Sequence, residues 1–117
     1  MAIQRLHTNQ RMSQAVVHNG TVYLAGQVAD DLSGGVEQQT REVLASIERL
    51  LEEAGTDTSR ILSATIYLKN VAVDFAGMNS VWDQWLPEGA GPARATVEAR
   101  LCYPEIRVEI SVIAALP

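Results

Sequence analysis

The sequence predicts an α+β fold: a six-stranded mixed sheet with two helices on one face, in the order βββαβαββ, as a single domain over residues 1–117. Three observations carry this. Six stretches alternate or enrich apolar residues like strands, and only two repeat them at helical spacing. Two helices cannot flank both faces of six strands, so both belong on one face. A chain of 117 residues is near the commonest domain size, and dividing it would leave two marginal cores.

The elements follow in order. Ile3 to Thr8 and Ser13 to His18 alternate weakly, and Thr21 to Val28, TVYLAGQV, is richer in β-branched and aromatic residues. Asn19-Gly20 joins the second and third strands as a hairpin turn. Gly26 within the third run marks a bulge or a close backbone approach, and DDLSGG at Asp30 to Gly35 is a loop. Val36 to Ala54 carries Val36, Val43, Leu44, Ile47, Leu50, Leu51 and Ala54 at helical spacing, and Gly55 ends it. In the strand Ile61 to Lys69, Leu62, Ala64, Ile66 and Leu68 share one side and Ile61, Ser63, Thr65 and Tyr67 the other. A second helix, from about Asp74 to Trp85, lines up Phe75, Met78, Trp82 and Trp85 as core before Pro87, Gly89 and Gly91 close it. Ala93 to Leu101 and Glu105 to Ala115 complete the set as a predicted hairpin around Cys102-Tyr103-Pro104. The sheet face without helices needs cover, and other copies of the chain are the economical source.

Composition narrows the function. With 47% hydrophobic and 20% charged residues the chain reads as an ordinary globular protein without a membrane-spanning run. The N-terminus lacks a basic region followed by an apolar stretch, which predicts a cytoplasmic location. A net charge of −5, with nine basic residues scattered along the chain, argues against nucleic-acid binding. The single cysteine, Cys102, excludes an internal disulfide and a cysteine-built zinc site, and reads as a small residue at a turn. His7 and His18 have no metal-ligand spacing, and no phosphate loop or nucleophile elbow is present.

The final pair of strands holds the sharpest candidates. Arg94, Thr96, Glu98 and Arg100 alternate with Ala93, Ala95, Val97 and Ala99, while Arg107, Glu109 and Ser111 alternate with Val108, Ile110 and Val112. An antiparallel pairing with Val97 opposite Val108 sets Glu98 against Arg107 and Arg100 against Glu105. Arg94 then faces Ser111 with Glu109 only diagonal. Part of its planar donor fork is left for a ligand carboxylate, with Glu109 beside it to orient or deprotonate a water. A solvated row of strand charges is the plainer alternative.

Four stretches match a known family: AGQV at Ala25 to Val28, MNSVWDQW at Met78 to Trp85, PARATVEARL at Pro92 to Leu101, and VEISVIAA at Val108 to Ala115. Through them nearly the whole chain resembles the Rid (YjgF) family of enamine/imine deaminases, and the WDQW helix is closer to its shorter relatives. The resemblance implies a chorismate-mutase-like fold, a homotrimer with one site in each cleft between subunits, and hydrolysis of 2-enamine and 2-imino acids to 2-keto acids and ammonia without metal or cofactor. It implies that Arg94 binds the substrate carboxylate, that Glu109 helps hold the attacking water, and that the Thr96 backbone carbonyl helps place that water where the archetype has a cysteine. Gly26 matches a glycine near the substrate and Asn79 a helix residue near the site. Met12 and Ala25 stand where the archetype has a tyrosine and a serine, and the loss of two hydroxyls redirects substrate recognition. A rival reading, favoured by those departures, is a non-catalytic trimer that binds a small carboxylate for a regulatory or partner-binding role.

Overall fold

Strand residues Gln4–Thr8 (β1), Ser13–His18 (β2) and Thr21–Leu24 (β3) precede the helix Val36–Ala54 (α1) in the computed structural model, which describes residues 2–117. A 3₁₀ turn at Thr58–Arg60 leads into Ile61–Leu68 (β4), the helix Val71–Trp85 (α2), and the strands Ala93–Glu98 (β5) and Val108–Ala115 (β6). The βββαβαββ order and the mixed six-stranded sheet are as the alternation predicts. Asn19 and Gly20 both take positive φ, 50° and 74°, which matches the right-handed twist of the β2–β3 hairpin. Gly55, at φ 95°, closes α1 by donating its N–H to the carbonyls of Glu52 and Leu51.

The strands lie in the order β1-β2-β3-β6-β4-β5. That order overturns the predicted β5–β6 hairpin. β4 lies between them, parallel to β5 and antiparallel to β6. A parallel pair needs a crossover, which α2 supplies, and β4 is apolar enough on both sides to sit in the interior of a sheet. The charge pairs expected across the hairpin dissolve with it. The Glu98 carboxylate accepts from the Val71 N–H at 3.0 Å, and Arg107 Nε lies 3.3 Å from Asp74.

Both helices pack on one face, where Ala15, Val17, Val22, Leu24, Ala64, Ile66, Leu68, Val108, Ile110, Val112 and Ala114 meet Val43, Leu44, Ile47, Leu51, Met78 and Trp82. The molecule measures 43 × 37 × 20 Å, and its thin dimension is that of one helix layer on one sheet layer. α2 begins three residues before the predicted Asp74 because Asn70 caps it, its side chain accepting from the Val73 N–H. Its core stripe is rotated from the predicted one: Asp74, Met78, Val81 and Trp82 are buried and Phe75 is exposed. In β4 a register shift between Ile61 and Ser63 reverses the alternation, so Ile61 turns inward and Leu62 outward.

A buried polar clamp fixes the β5–β6 connection. Gln39, fully buried on α1, donates to the carbonyls of Gly34 and Glu105 and accepts from the Arg107 N–H. All its capacity used here goes to backbone, which ties residues 105–107 to the first turns of α1.

Candidate functional site

The pairing register sorts the candidate residues into two groups on opposite faces of the sheet. Arg94 pairs with Ala64 and Thr96 with Ile66, and these pair in turn with Val112 and Ile110. Arg94 and Thr96 therefore share the helix-covered face. Glu109 pairs with Tyr67, which pairs with Val97, so Glu109 lies on the bare face. The sequence reading set Arg94 and Glu109 side by side on one face. The insertion of β4 separates them, because β5 presents its polar row on the same side as the apolar row of β6.

On the covered face, the edge strand β5 turns its polar row toward α2. Arg94 Nη1 donates to Asn79 Oδ1 at 2.8 Å, and its Cζ stands 5.4 Å from the centre of the Trp82 ring. Asn79 and Trp82 are three residues apart on α2, hence on one helix face. Among the described residues no carboxylate pairs with Arg94, so most of its donors remain unspent. Thr96, two residues along the same row, has a buried hydroxyl without a hydrogen-bond partner. Such an orphan is costly unless something else satisfies it.

On the bare face, Glu109 stands over the chain at Gly26. A Cβ built on Gly26 would collide with the Glu109 carboxylate, so the close backbone approach that the sequence predicts at this glycine is an approach to Glu109. The Gln27–Ile110 bridge holds the two segments together. The Glu109 carboxylate accepts no hydrogen bond among the described residues. Around it opens a recess of ≈ 420 Å³ lined by Gly26, Tyr67, Arg100, Cys102, Glu109 and Ser111 among others. Ala25 adjoins Gly26 and bonds through its N–H to the Gln14 carbonyl. Met12, 44% exposed, stands two residues before Gln14 in the β1–β2 turn, at the same end of the sheet.

Tyr67 and Arg100 were not among the sequence candidates for this recess. The alternation of β4 groups Tyr67 with Ser63 and Thr65, and a β4–β6 pairing would have brought it to Glu109. Arg100 was assigned to Glu105, with which it makes no ion pair. His7 binds Glu53 on α1 at 2.5 Å, and no group of three metal-capable side chains occurs among the described residues.

The bare face is also apolar. Tyr23, Leu62 and Val97 are 45%, 52% and 42% exposed there. Among the described residues no helix is long and apolar enough to cross a membrane.

Comparison with known proteins gives consistent matches over nearly the full chain. The family model described as endoribonuclease L-PSP matches residues 2–116. A RutC family protein of Haemophilus ducreyi is 45% identical over 114 residues, covering 97% of each chain. The RutC family protein YoaB of Escherichia coli K12 is 42% identical, covering 99% of this chain and 100% of its own. Among solved structures, a YjgF-family protein of Neisseria meningitidis superimposes with a TM-score of 0.96 at 45% identity, over 100% of this chain and 97% of its own. A Rid-family protein of unknown function from Yersinia pestis gives 0.90 at 31% identity, over 98% and 100%.

Proposed function

The chain belongs to the Rid (YjgF) family, and from that premise we propose that it hydrolyses reactive 2-imino acids, and the 2-enamine acids that tautomerise to them, to 2-keto acids and ammonia. The single observation that carries this reading is the division of the candidate groups into complementary halves. A held but unspent guanidinium lies on one face, and an unpartnered carboxylate with a recess before it lies on the other. Neither half can complete the other within one chain. A second copy whose β5 edge and Arg94 side abut the Glu109 recess of the first would complete both. That contact is heterologous, and a heterologous contact that closes on itself forms a ring. With the three-fold assembly that the family resemblance implies, the ring is a homotrimer with one site in each cleft, and the exposed Tyr23, Leu62 and Val97 are surface that this assembly covers.

In the cleft the Arg94 fork takes the substrate carboxylate through paired charge-assisted hydrogen bonds. Glu109 accepts a proton from water as the water oxygen bonds to the imine carbon and the C=N π pair moves to nitrogen, which is protonated. The carbinolamine then collapses: Glu109 takes the hydroxyl proton and a proton is delivered to the amino nitrogen, the carbonyl forms, and the C–N bond breaks to release ammonia. One imine and one water become one keto acid and one ammonia, with neither oxidant nor reductant. The Thr96 backbone carbonyl, on the strand that carries Arg94, helps place the water. Met12 and Ala25 give the cleft mouth no hydroxyl, which favours less polar imines than a hydroxyl-lined site would take. Those two residues are also what supports the rival reading, a trimer that binds a carboxylate without chemistry. The nucleolytic activity in the family's description finds little support in a chain of net charge −5.

The deciding experiment is a coupled assay that generates imines in place from several amino acids with an amino acid oxidase and follows keto-acid formation. Acceleration over the uncatalysed rate is expected. Keto-acid binding without acceleration would select the non-catalytic reading.

A further inference from the structure

We propose that Trp82 is the positioning residue for Arg94: its indole is the shelf that holds the guanidinium plane and aims its free edge at a ligand carboxylate. This rests on the reading of Arg94 as a carboxylate anchor, but not on catalysis. β5 is an edge strand and Arg94 is exposed on it, so an unsupported side chain there would sample many rotamers and lose that freedom on binding. Two contacts restrict it. Asn79 engages one donor in the guanidinium plane at 2.8 Å, and Trp82 lies against the guanidinium at 5.4 Å from the ring centroid, within cation–π range.

Trp82 is itself enclosed. It is 4% exposed and packed against Trp85 at 5.6 Å between ring centroids. A buried indole is a stiff support for an exposed cation, and among the described residues the fork has Asn79 as a hydrogen-bond partner and no carboxylate. The arrangement discriminates as well as holds. A planar, bidentate carboxylate meets the free edge, whereas a lysine in place of Arg94 would offer no plane to stack and no fork.

Trp82 also belongs to the core, so the test separates support of Arg94 from loss of fold. Pyruvate binding is measured by calorimetry for the wild type, Trp82→Phe, Trp82→Leu, Arg94→Ala and the double variant Arg94→Ala/Trp82→Leu, each first shown to be folded by circular dichroism. Trp82→Leu is expected to weaken binding about tenfold, Trp82→Phe to retain most of it, and Trp82→Leu to add nothing once Arg94 is gone. A spectroscopic arm uses Trp85→Phe, which leaves Trp82 as the sole indole of the two. Its emission should change on adding pyruvate and cease to respond when Arg94 is also replaced by Ala. Wild-type affinity in folded Trp82→Leu, an equal loss in the Arg94→Ala background, or no pyruvate binding by the wild type would each overturn the proposal. If the wild type binds pyruvate and shows the Trp82 dependence but fails to hydrolyse imines, the deaminase reading falls and this inference stands.

Discussion

Arg94 and Glu109 lie on strands separated only by β4, yet their surroundings differ in kind. Arg94 has a helix over it, with an amide in its plane and an indole against the guanidinium. Glu109 has a backbone beneath it at Gly26, an open recess before it and no hydrogen-bond donor among the described residues. The covered face thus carries a charge already aimed by its own chain, while the bare face carries one that waits for another surface. A sheet with helices on one side only can divide a site between its faces, provided that assembly brings the faces of different copies together.

The largest effects should come from removing either charge. Arg94→Ala is expected to lower kcat/KM for imine hydrolysis by roughly a thousandfold, with keto-acid binding weakened about thirtyfold but still measurable, since two charge-assisted hydrogen bonds go together. Glu109→Gln should lower kcat by about a hundredfold while KM stays close to wild type, as for loss of a general base. If both variants instead changed KM alone, the difference in role between the faces would be broken. Val97→Asp puts a charge on the bare face, and burying that charge unpaired between the proposed copies would cost several kcal/mol. The proposed trimer should dissociate on sedimentation, with activity falling to the level of the uncatalysed reaction. Gly26→Ala should reduce kcat by about tenfold with a change in melting temperature of only a few degrees, because the added methyl displaces the Glu109 carboxylate and not the core. The smallest effect is expected at Asp57, which belongs to neither half. The Ser59 hydroxyl and then the Ser59 N–H hold its carboxyl below the ordinary 3.8. A depressed folded-state pKa stabilises above the unfolded value and ceases to do so as pH falls through the folded one. The slight loss of stability in Asp57→Ala should therefore be present at neutral pH, shrink below about pH 4, and leave turnover unchanged.

Local patterns in the sequence were legible wherever one short segment decides the outcome. Asn19-Gly20 specified the turn, Gly55 the end of α1, and the position of Gly26 a close approach. The identities of Arg94, Asn79, Thr96, Gly26 and Glu109 as candidates came from the family resemblance together with alternation. What alternation could not supply was the neighbour of each strand. Parity within β5 and within β6 was read well, but which row of one shares a face with which row of the other depends on what pairs with what, and β4 enters from far along the chain. The exposed Leu62 has a similar origin, since a one-residue irregularity after Ile61 reverses the pattern without a glycine or proline to announce it. The Trp82 contact was hidden because an aromatic stripe on a helix reads as core, and Trp82 is core on one side and support for Arg94 on the other.

The most direct test of a site shared between copies is to mix two inactive proteins. If the proposed trimer is right, Arg94→Ala and Glu109→Gln chains, unfolded together in equal amounts and refolded, would assemble so that about a quarter of the clefts combine an intact Arg94 from one copy with an intact Glu109 from its neighbour. Recovery of about a quarter of the wild-type activity is the predicted result. Activity no higher than that of the two variants measured separately would mean that both groups of each site come from one chain, which would contradict the account.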